Sequence, residues 1–125
     1  MGEQHTRAMA HLRRFALGFP GAWEDHPWGE SVAKVGKKVF VFLGASDASL
    51  SFSVKLPDSS FQALAFEWAE PTGYGLGNSG WVTIAYAGRK KPPLELFEDW
   101  IDESYRAVAP KKLVAELDAM RAAQV

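Results

Sequence analysis

The feature that most constrains the fold of this chain is an uninterrupted apolar run near its middle. The run consists of five residues, Val39-Phe40-Val41-Phe42-Leu43. Successive side chains of a strand point to opposite faces, so a strand that is apolar at every position is typical of the interior of a sheet. Gly36-Lys37 just before it suits a tight turn, and residues 32–35 before that turn have strand composition. We therefore predict a central strand over residues 38–43, joined to its neighbour by a hairpin.

Other patterns in the sequence predict three more strands. Apolar and polar residues alternate over residues 50–55, which is typical of a half-buried strand. Residues 81–87 predict another strand, and residues 21–29 predict a short strand or extended arm followed by a turn. Residues 44–48, between two predicted strands, are expected to form a loop.

Helical spacing of apolar residues predicts four helices, beginning after Thr6, at residues 59–60, at Pro93 and at Pro110. The third has an apolar stripe that steps by three or four through Leu94, Phe97, Ile101, Tyr105 and Val108. The element order is then α-β-β-β-β-α-β-α-α. Strands joined by hairpins, with helices grouped apart, indicate an α+β fold: an antiparallel sheet with helices packed on one face. Without repeats or linkers, residues 1–125 are expected to form a single domain.

Three helix details are specific enough to check. Thr6 is placed to cap the first helix with its hydroxyl. The second helix is expected to start with a capping box and to bury one apolar face. The box is Ser59-Ser60-Phe61-Gln62, and the face is Phe61, Leu64, Ala65 and Trp68. The last helix is expected to turn inward Leu113, Leu117 and Met120.

Composition limits the classes of function. The chain has no cysteine, which excludes disulfides, thiolate zinc sites and a thiol nucleophile, and suits a cytoplasmic protein. No apolar run approaches the roughly 20 residues of a membrane-spanning helix, so no membrane partner is expected. Fourteen Lys and Arg oppose fifteen Asp and Glu, for a net charge of −1. Any nucleic-acid binding must therefore rest on local clustering of positive charge.

Motifs for catalysis, metals and cofactors are weak or out of context. Residues 75–80 match G-x-G-x-x-G, but a helix precedes them and a strand follows, the reverse of a dinucleotide site. His5 and His11 are six residues apart, which misses the spacing of a helical metal site, and Glu24, Asp25 and His26 would alternate faces of a strand. We therefore expect no metal, no cofactor and no enzymatic activity.

Basic residues cluster on two predicted turns. Lys34, Lys37 and Lys38 surround the first hairpin turn, and Arg89, Lys90 and Lys91 follow the strand at residues 81–87. Such cations could grip phosphates. Alternatively, they keep the protein in solution and blunt the edges of the sheet.

The chain has five tryptophans, three of which lie near glycines in strand or turn positions. These residues could line a groove that stacks a base or an aromatic ligand, or they could cap the core. As a ligand pocket, the set would comprise Trp23, Trp28, Tyr74, Asn78 and Trp81.

Short segments in order along the chain resemble the MmcQ/YjbR family. They are Phe19-Pro20-Gly21, Trp28-Gly29, Gly36-Lys37-Lys38-Val39-Phe40, Leu50 to Pro57 with Lys55, Gly80-Trp81-Val82, Ser104-Tyr105 and Lys112-Leu113. The resemblance implies a frataxin-like (CyaY-like) α+β fold and a DNA-binding protein with a double-wing motif, in which the two basic turns would be the wings. Lys55 and Lys112 match family positions and join the candidate DNA contacts. Family members are often basic just before the Gly-Trp pair, where this chain has Asn78 and Ser79.

The sequence thus favours a non-catalytic domain that contacts the DNA backbone through two basic turns. The alternative is a module that binds a small molecule or a protein partner in the tryptophan-lined pocket.

Overall fold

The computed structural model describes residues 2–44, 50–73, 75–88 and 90–124, without the side chains of Glu3 and Trp28. Its helices are α1 (Gly2–Leu17), α2 (Ser60–Ala63), α3 (Leu94–Val108) and α4 (Lys111–Ala123). Its strands are β1 (Ala22–Asp25), β2 (Ser31–Val35), β3 (Lys38–Gly44), β4 (Leu50–Lys55), β5 (Ala69–Pro71) and β6 (Trp81–Tyr86). Two 3-10 turns lie at Pro27–Gly29 and Leu76–Ser79. The α+β class and the order of the predicted elements are confirmed, with β5 as an additional short strand. The predicted loop after Gly44 lies outside the described residues.

The strands form one antiparallel sheet in the order β1-β2-β3-β4-β6-β5. The apolar run lies in β3, which has a neighbour on each side, as predicted. The segment that was predicted to be a short strand or an extended arm is a strand, β1, at one edge of the sheet. The short β5 forms the other edge.

A bulge in β3 explains why the run is apolar throughout. Ala33 pairs with Val41 and Lys34 pairs with Val39, so Phe40 is an extra residue in β3. The bulge interrupts the alternation of side chains, and Phe40 and Val41 are both fully buried in the core. Val39 and Phe42 point to the opposite face of the sheet, and both are only half-buried. The apolar run thus places β3 inside the sheet, whereas one of its faces is only partly covered.

Helices α1 and α3 pack on the same face of the sheet. Phe97 of α3 contacts Phe52 of β4, and Tyr105 contacts the bulged Phe40, with ring centroids 5.2 and 5.3 Å apart. Phe97, Ile101 and Tyr105 are fully buried, which confirms the central part of the predicted α3 stripe. The other face of the sheet, which we call the open face, has residues at alternate register positions: Trp23, Lys34, Phe42, Ser53, Lys55, Trp81 and Thr83.

The predicted second helix is wrong beyond its first turn. Helix α2 ends at Ala63, and Phe61 is 88% exposed rather than part of a buried face. The Ser59 hydroxyl donates to the carboxylate of Glu103 on α3 and not to its own helix, so the predicted capping box does not form. Trp68 lies in the approach to β5, where its carbonyl accepts from the Ala85 amide (2.8 Å). Pairing with the edge of β6 overrides the helical pattern of this segment.

Two smaller predictions about helices were also wrong. Helix α1 begins at Gly2, so Thr6 lies inside the helix and does not cap it. In α4 Leu117 is buried and Leu113 is half-buried, but Met120 is 42% exposed, so the predicted inward face ends at Leu117.

Candidate functional site

The register of the sheet places the two basic turns at opposite ends of the molecule. Lys55, the last residue of β4, pairs with Trp81, the first residue of β6, so both lie at the end where β3 begins. The last residue of β6, Tyr86, pairs instead with Leu50 at the other end. The six residues of β6 separate the two ends by roughly 20 Å, at about 3.3 Å per residue.

Several candidate lysines come together at the end where β3 begins. The β2–β3 turn contributes Lys37 and Lys38, and β4 contributes Lys55. Helix α4 starts at the same end, because Leu113 packs beside Gly21 and Val35, and Val35 is the strand partner of Lys38. We call this group the lysine end. Its members are Lys37, Lys38, Lys55, Lys111 and Lys112.

The charges of the lysine end are available to an anion. All of its lysines are exposed except Lys55, which is half-buried, and none forms an ion pair with another described residue. Among the acids nearby, Glu103 accepts from the backbone amides of Asp58 and Ser59. The exposed Asp58 and Glu116 leave an excess of positive charge.

Lys34 does not belong to this group. Its ammonium donates to Asp25 Oδ2 at 2.7 Å and lies over the Trp23 ring on the open face. The ammonium also holds the pKa of the Asp25 carboxyl below its ordinary value. The positive charge of Lys34 is therefore neutralised by Asp25 on the neighbouring strand β1.

The second predicted wing lies at the opposite end. Lys90 and Lys91 are exposed there, and the Lys90 carbonyl accepts from Tyr86 Oη (3.1 Å) and Gln4 Nε2 (3.2 Å). Lys91 also lines a shallow cavity of about 460 Å³ with Arg7 of α1. Arg89 is outside the described residues. Because the two turns are about a strand length apart, they do not form one contiguous basic surface.

The described members of the predicted tryptophan pocket do not form a pocket. Trp81 is only 8% exposed and packs against Phe42, with ring centroids 5.2 Å apart. Trp23 lies on β1, four strands away from β6 in the sheet order. Asn78 lies in the second 3-10 turn, and Trp28 and Tyr74 are outside the described side chains. The sequence suggested one site because all these residues are near glycines, whereas the topology separates Trp23 from Trp81.

A cleft between α1 and the strands β1–β3 was missed by sequence reasoning. It has a volume of about 470 Å³ and polar and apolar walls. The residues that line it are Thr6, Met9, Ala10, Arg13, Glu24, His26, Gly29, Ser31, Leu43 and Gly44. The one available signal was the sequence Glu24-Asp25-His26, but its partner Arg13 comes from a different element.

Glu24 is the centre of the polar wall of this cleft. Its carboxylate accepts two hydrogen bonds from the Arg13 guanidinium and one from the Ser31 hydroxyl, and His26 Nε2 lies 3.4 Å away. The bonds from Arg13, more than any other contact, lower the pKa of Glu24 to about 2. Glu24 is therefore a fixed anion at neutral pH. Since the Ser31 hydroxyl donates to Glu24 and not to His26, the cluster lacks the base–hydroxyl contact of an activated serine.

Residues 2–44, 50–73, 75–88 and 90–124 contain no group of three or more His, Asp or Glu placed to hold a metal ion. Within these ranges, every helix is too short or too polar to cross a bilayer.

These features define the class of protein: an α+β domain with a six-stranded antiparallel sheet, helices on one face and a cluster of lysines at one end. The family model YjbR matches residues 17–107, so the chain belongs to the YjbR family. The resemblance noted in the sequence is thus confirmed. A search of curated proteins finds no significant match.

Proposed function

We propose that this protein is a non-catalytic DNA-binding domain that contacts the phosphate backbone through its lysine end. The observation that supports this most directly is the meeting of Lys37, Lys38, Lys55 and Lys112 at one end of the sheet, each without an ion pair among the described residues. All of these lysines were candidates from the sequence alone. The structure adds Lys111 to them.

This proposal differs from the double-wing interpretation in the number of contact surfaces. Lys90 and Lys91 lie roughly 20 Å away at the other end of β6. A ligand bound at the lysine end does not need them. Lysine ammonium groups act as mobile point charges toward phosphates and do not read base edges in a bidentate manner. We therefore expect contacts that position DNA without strong sequence preference.

The proposal is tested by fluorescence anisotropy with a short labelled DNA at low salt. The double variant Lys37→Gln/Lys38→Gln should weaken binding about tenfold, because two phosphate contacts are lost. The matched control is Lys90→Gln/Lys91→Gln, which removes the same charge from exposed positions at the other end. That control should bind like the wild-type protein.

Two outcomes would contradict the proposal. No saturable binding up to about 100 μM at low salt would remove DNA as a ligand. Equal weakening by both double variants would show that net charge, and not the lysine end, governs binding. All four substituted side chains are exposed, so unchanged thermal unfolding should accompany both variants.

A second candidate function is supported by the cleft beside α1. Its volume of about 470 Å³ is within the range of small-molecule sites. Met9 and Leu43 offer apolar surface, and the exposed His26 ring offers a hydrogen-bonding nitrogen to a polar group. A small ligand would therefore bind in this cleft and not among the tryptophan residues.

The cleft is tested by thermal shift against a panel of small neutral and cationic polar molecules, because the Glu24 carboxylate that lines it is a fixed anion. Ala10→Phe, on the α1 wall, should fill the cleft and abolish any stabilisation seen with the wild-type protein. A ligand that stabilises both proteins equally binds elsewhere, and a panel without effect would leave DNA binding as the single proposal.

A further inference from the structure

Trp23 lies on the open face next to the β2–β3 turn that carries Lys37 and Lys38. Its indole Nε1 donates to the carbonyl of Gly36 at 2.9 Å, which ties the ring to that turn. Lys34, its strand partner, places its ammonium over one face of the ring, 5.3 Å from the centroid. The ring is thus held in a fixed orientation by two groups from the neighbouring strand.

The indole is nevertheless unusually accessible. Trp23 is 44% exposed, whereas Trp81 and Trp100 are 8% and 5% exposed. No other described aromatic ring stacks on Trp23. An accessible flat ring beside lysines without ion pairs suits a ligand that has a flat apolar group and a negative charge. A nucleotide in a polynucleotide chain has both.

We infer that the lysine end binds single-stranded DNA in preference to duplex, with an unpaired base stacked on Trp23 while Lys37 and Lys38 contact the flanking phosphates. The inference rests on the proposed function and specifies its substrate class. In a duplex, each base is stacked between its neighbours and its flat faces are covered. An unpaired base can place a face on an aromatic side chain, and such stacking does not depend on base identity.

The geometry of the turn fits this division of roles. Gly36 has a φ of +62°, which reverses the chain so that Lys37 follows directly after the carbonyl that binds the indole. The Trp23 ring of β1 is therefore tied by a hydrogen bond to the residue that directly precedes the first ammonium, Lys37. Lys34 is already paired with Asp25, so its ammonium orients the ring and is not counted as a phosphate contact.

The test compares labelled oligo-dT of about 15 nucleotides with a duplex of the same length, by anisotropy at one salt concentration. The wild-type protein should bind oligo-dT more tightly. Trp23→Ala should weaken oligo-dT binding by about 5- to 100-fold, the range of one lost base stack, and should weaken duplex binding little. Trp23→Phe retains a ring and should keep most of the affinity.

Phe66→Ala is the matched control, because it removes an aromatic ring of similar exposure (39%) that stacks on Trp68, and Trp68 contacts Tyr86 at the end of β6 away from the lysine end. Thermal unfolding of Trp23→Ala checks that the sheet remains folded; if it does not, Trp23→Leu, which keeps apolar volume without a flat ring, carries the test and should weaken oligo-dT binding to a similar degree. A duplex bound as tightly as oligo-dT, or unchanged oligo-dT binding by Trp23→Ala, overturns the inference. If Lys37→Gln/Lys38→Gln still weakens binding in that case, the proposed function stands without stacking. If neither DNA binds, both proposals fail.

Discussion

Ser104 is a fully buried serine whose hydroxyl joins three elements. Its Oγ accepts from the Lys55 amide of β4 at 2.8 Å and donates to the Phe40 carbonyl of β3. Strands β3 and β4 pair at Val41 with Val54 and at Phe42 with Ser53. The next two residues, Phe40 and Lys55, do not pair, and the side chain of Ser104 from α3 inserts there. The Ser104 hydroxyl thus gives a hydrogen-bond partner to the Lys55 amide and to the Phe40 carbonyl, which do not bond to each other because of the bulge.

Ser104→Ala should lower the free energy of unfolding by about 2–3 kcal/mol, because a buried donor and a buried acceptor both lose their partner. Urea denaturation measures the change. Ser51→Ala, at a half-buried position of β4, is the control and should change stability by less than about 0.5 kcal/mol. A loss of the same size at both positions would count against the bridging role of Ser104.

Glu24 links stability to pH. Its pKa in the folded protein is about 2, below the ordinary value of 4.5, so its contribution is complete above about 4.5 and disappears as the pH falls toward 2. The Glu24 side chain is 14% exposed but that of Arg13 is 49% exposed, so solvent screens the pair and we expect about 1–2 kcal/mol.

Glu24→Gln should therefore be less stable than wild type at pH 6, and the difference should shrink by pH 3. Urea denaturation at several pH values measures it. Glu70→Gln, at an exposed position of β5, is the control and should track the wild-type protein throughout. A constant difference between wild type and Glu24→Gln across this range would show that the effect is not electrostatic.

At the scale of elements, the sequence predicted best where one local pattern dominates. The alternation in β4 buries the apolar residues that its period selects, and the stripe of α3 buries its central residues, since each element packs one face on the core. The segment after Ser59 has an equally regular helical pattern, yet the structure has a single turn there and then β5. This segment is a strand because it pairs with the edge of β6. Since β6 lies further along the chain, the local helical pattern gives no sign of that pairing.

Gly80 shows how a single backbone position fixes the start of an element. It has a φ of +89°, its carbonyl accepts from the Leu56 amide at 2.8 Å, and a Cβ placed on it would lie 3.3 Å from the Leu56 oxygen. The left-handed conformation costs a residue with a side chain about 1–2 kcal/mol. Together with the close contact, this makes Gly80 a requirement for the entry into β6.

Gly80→Ala should lower the thermal unfolding temperature and cost about 2 kcal/mol in urea denaturation. Gly73→Ala is the matched control in the same loop, because its φ is not positive and no atom lies within 4 Å of the added carbon. That variant should change stability by less than about 0.5 kcal/mol. Equal effects of the two substitutions would contradict the role given to the left-handed backbone.

At the scale of the whole molecule, the arrangement of charge could not be predicted from the chain. The sequence shows two basic turns of similar composition, and it supplies no measure of which end of the sheet each turn occupies. That answer depends on the direction of β6 relative to β4, which is fixed by long-range pairing. The packing of Leu113 beside Gly21 and Val35 brings Lys112, 57 positions along the chain from Lys55, to the same end as Lys55.

Salt dependence measures how many of these lysines act together. Five contacts with single-stranded DNA would give a slope of about −3.5 in a plot of log K against log salt concentration, at about 0.7 per phosphate. Lys37→Gln/Lys38→Gln should reduce the magnitude to about 2, whereas Lys90→Gln/Lys91→Gln should leave it unchanged. Because the slope counts displaced ions, it separates charge contacts from stacking: Trp23→Ala should lower the affinity at every salt concentration and keep the slope. A slope near −5 that falls with either pair of substitutions would instead mean that both ends of the sheet hold the DNA.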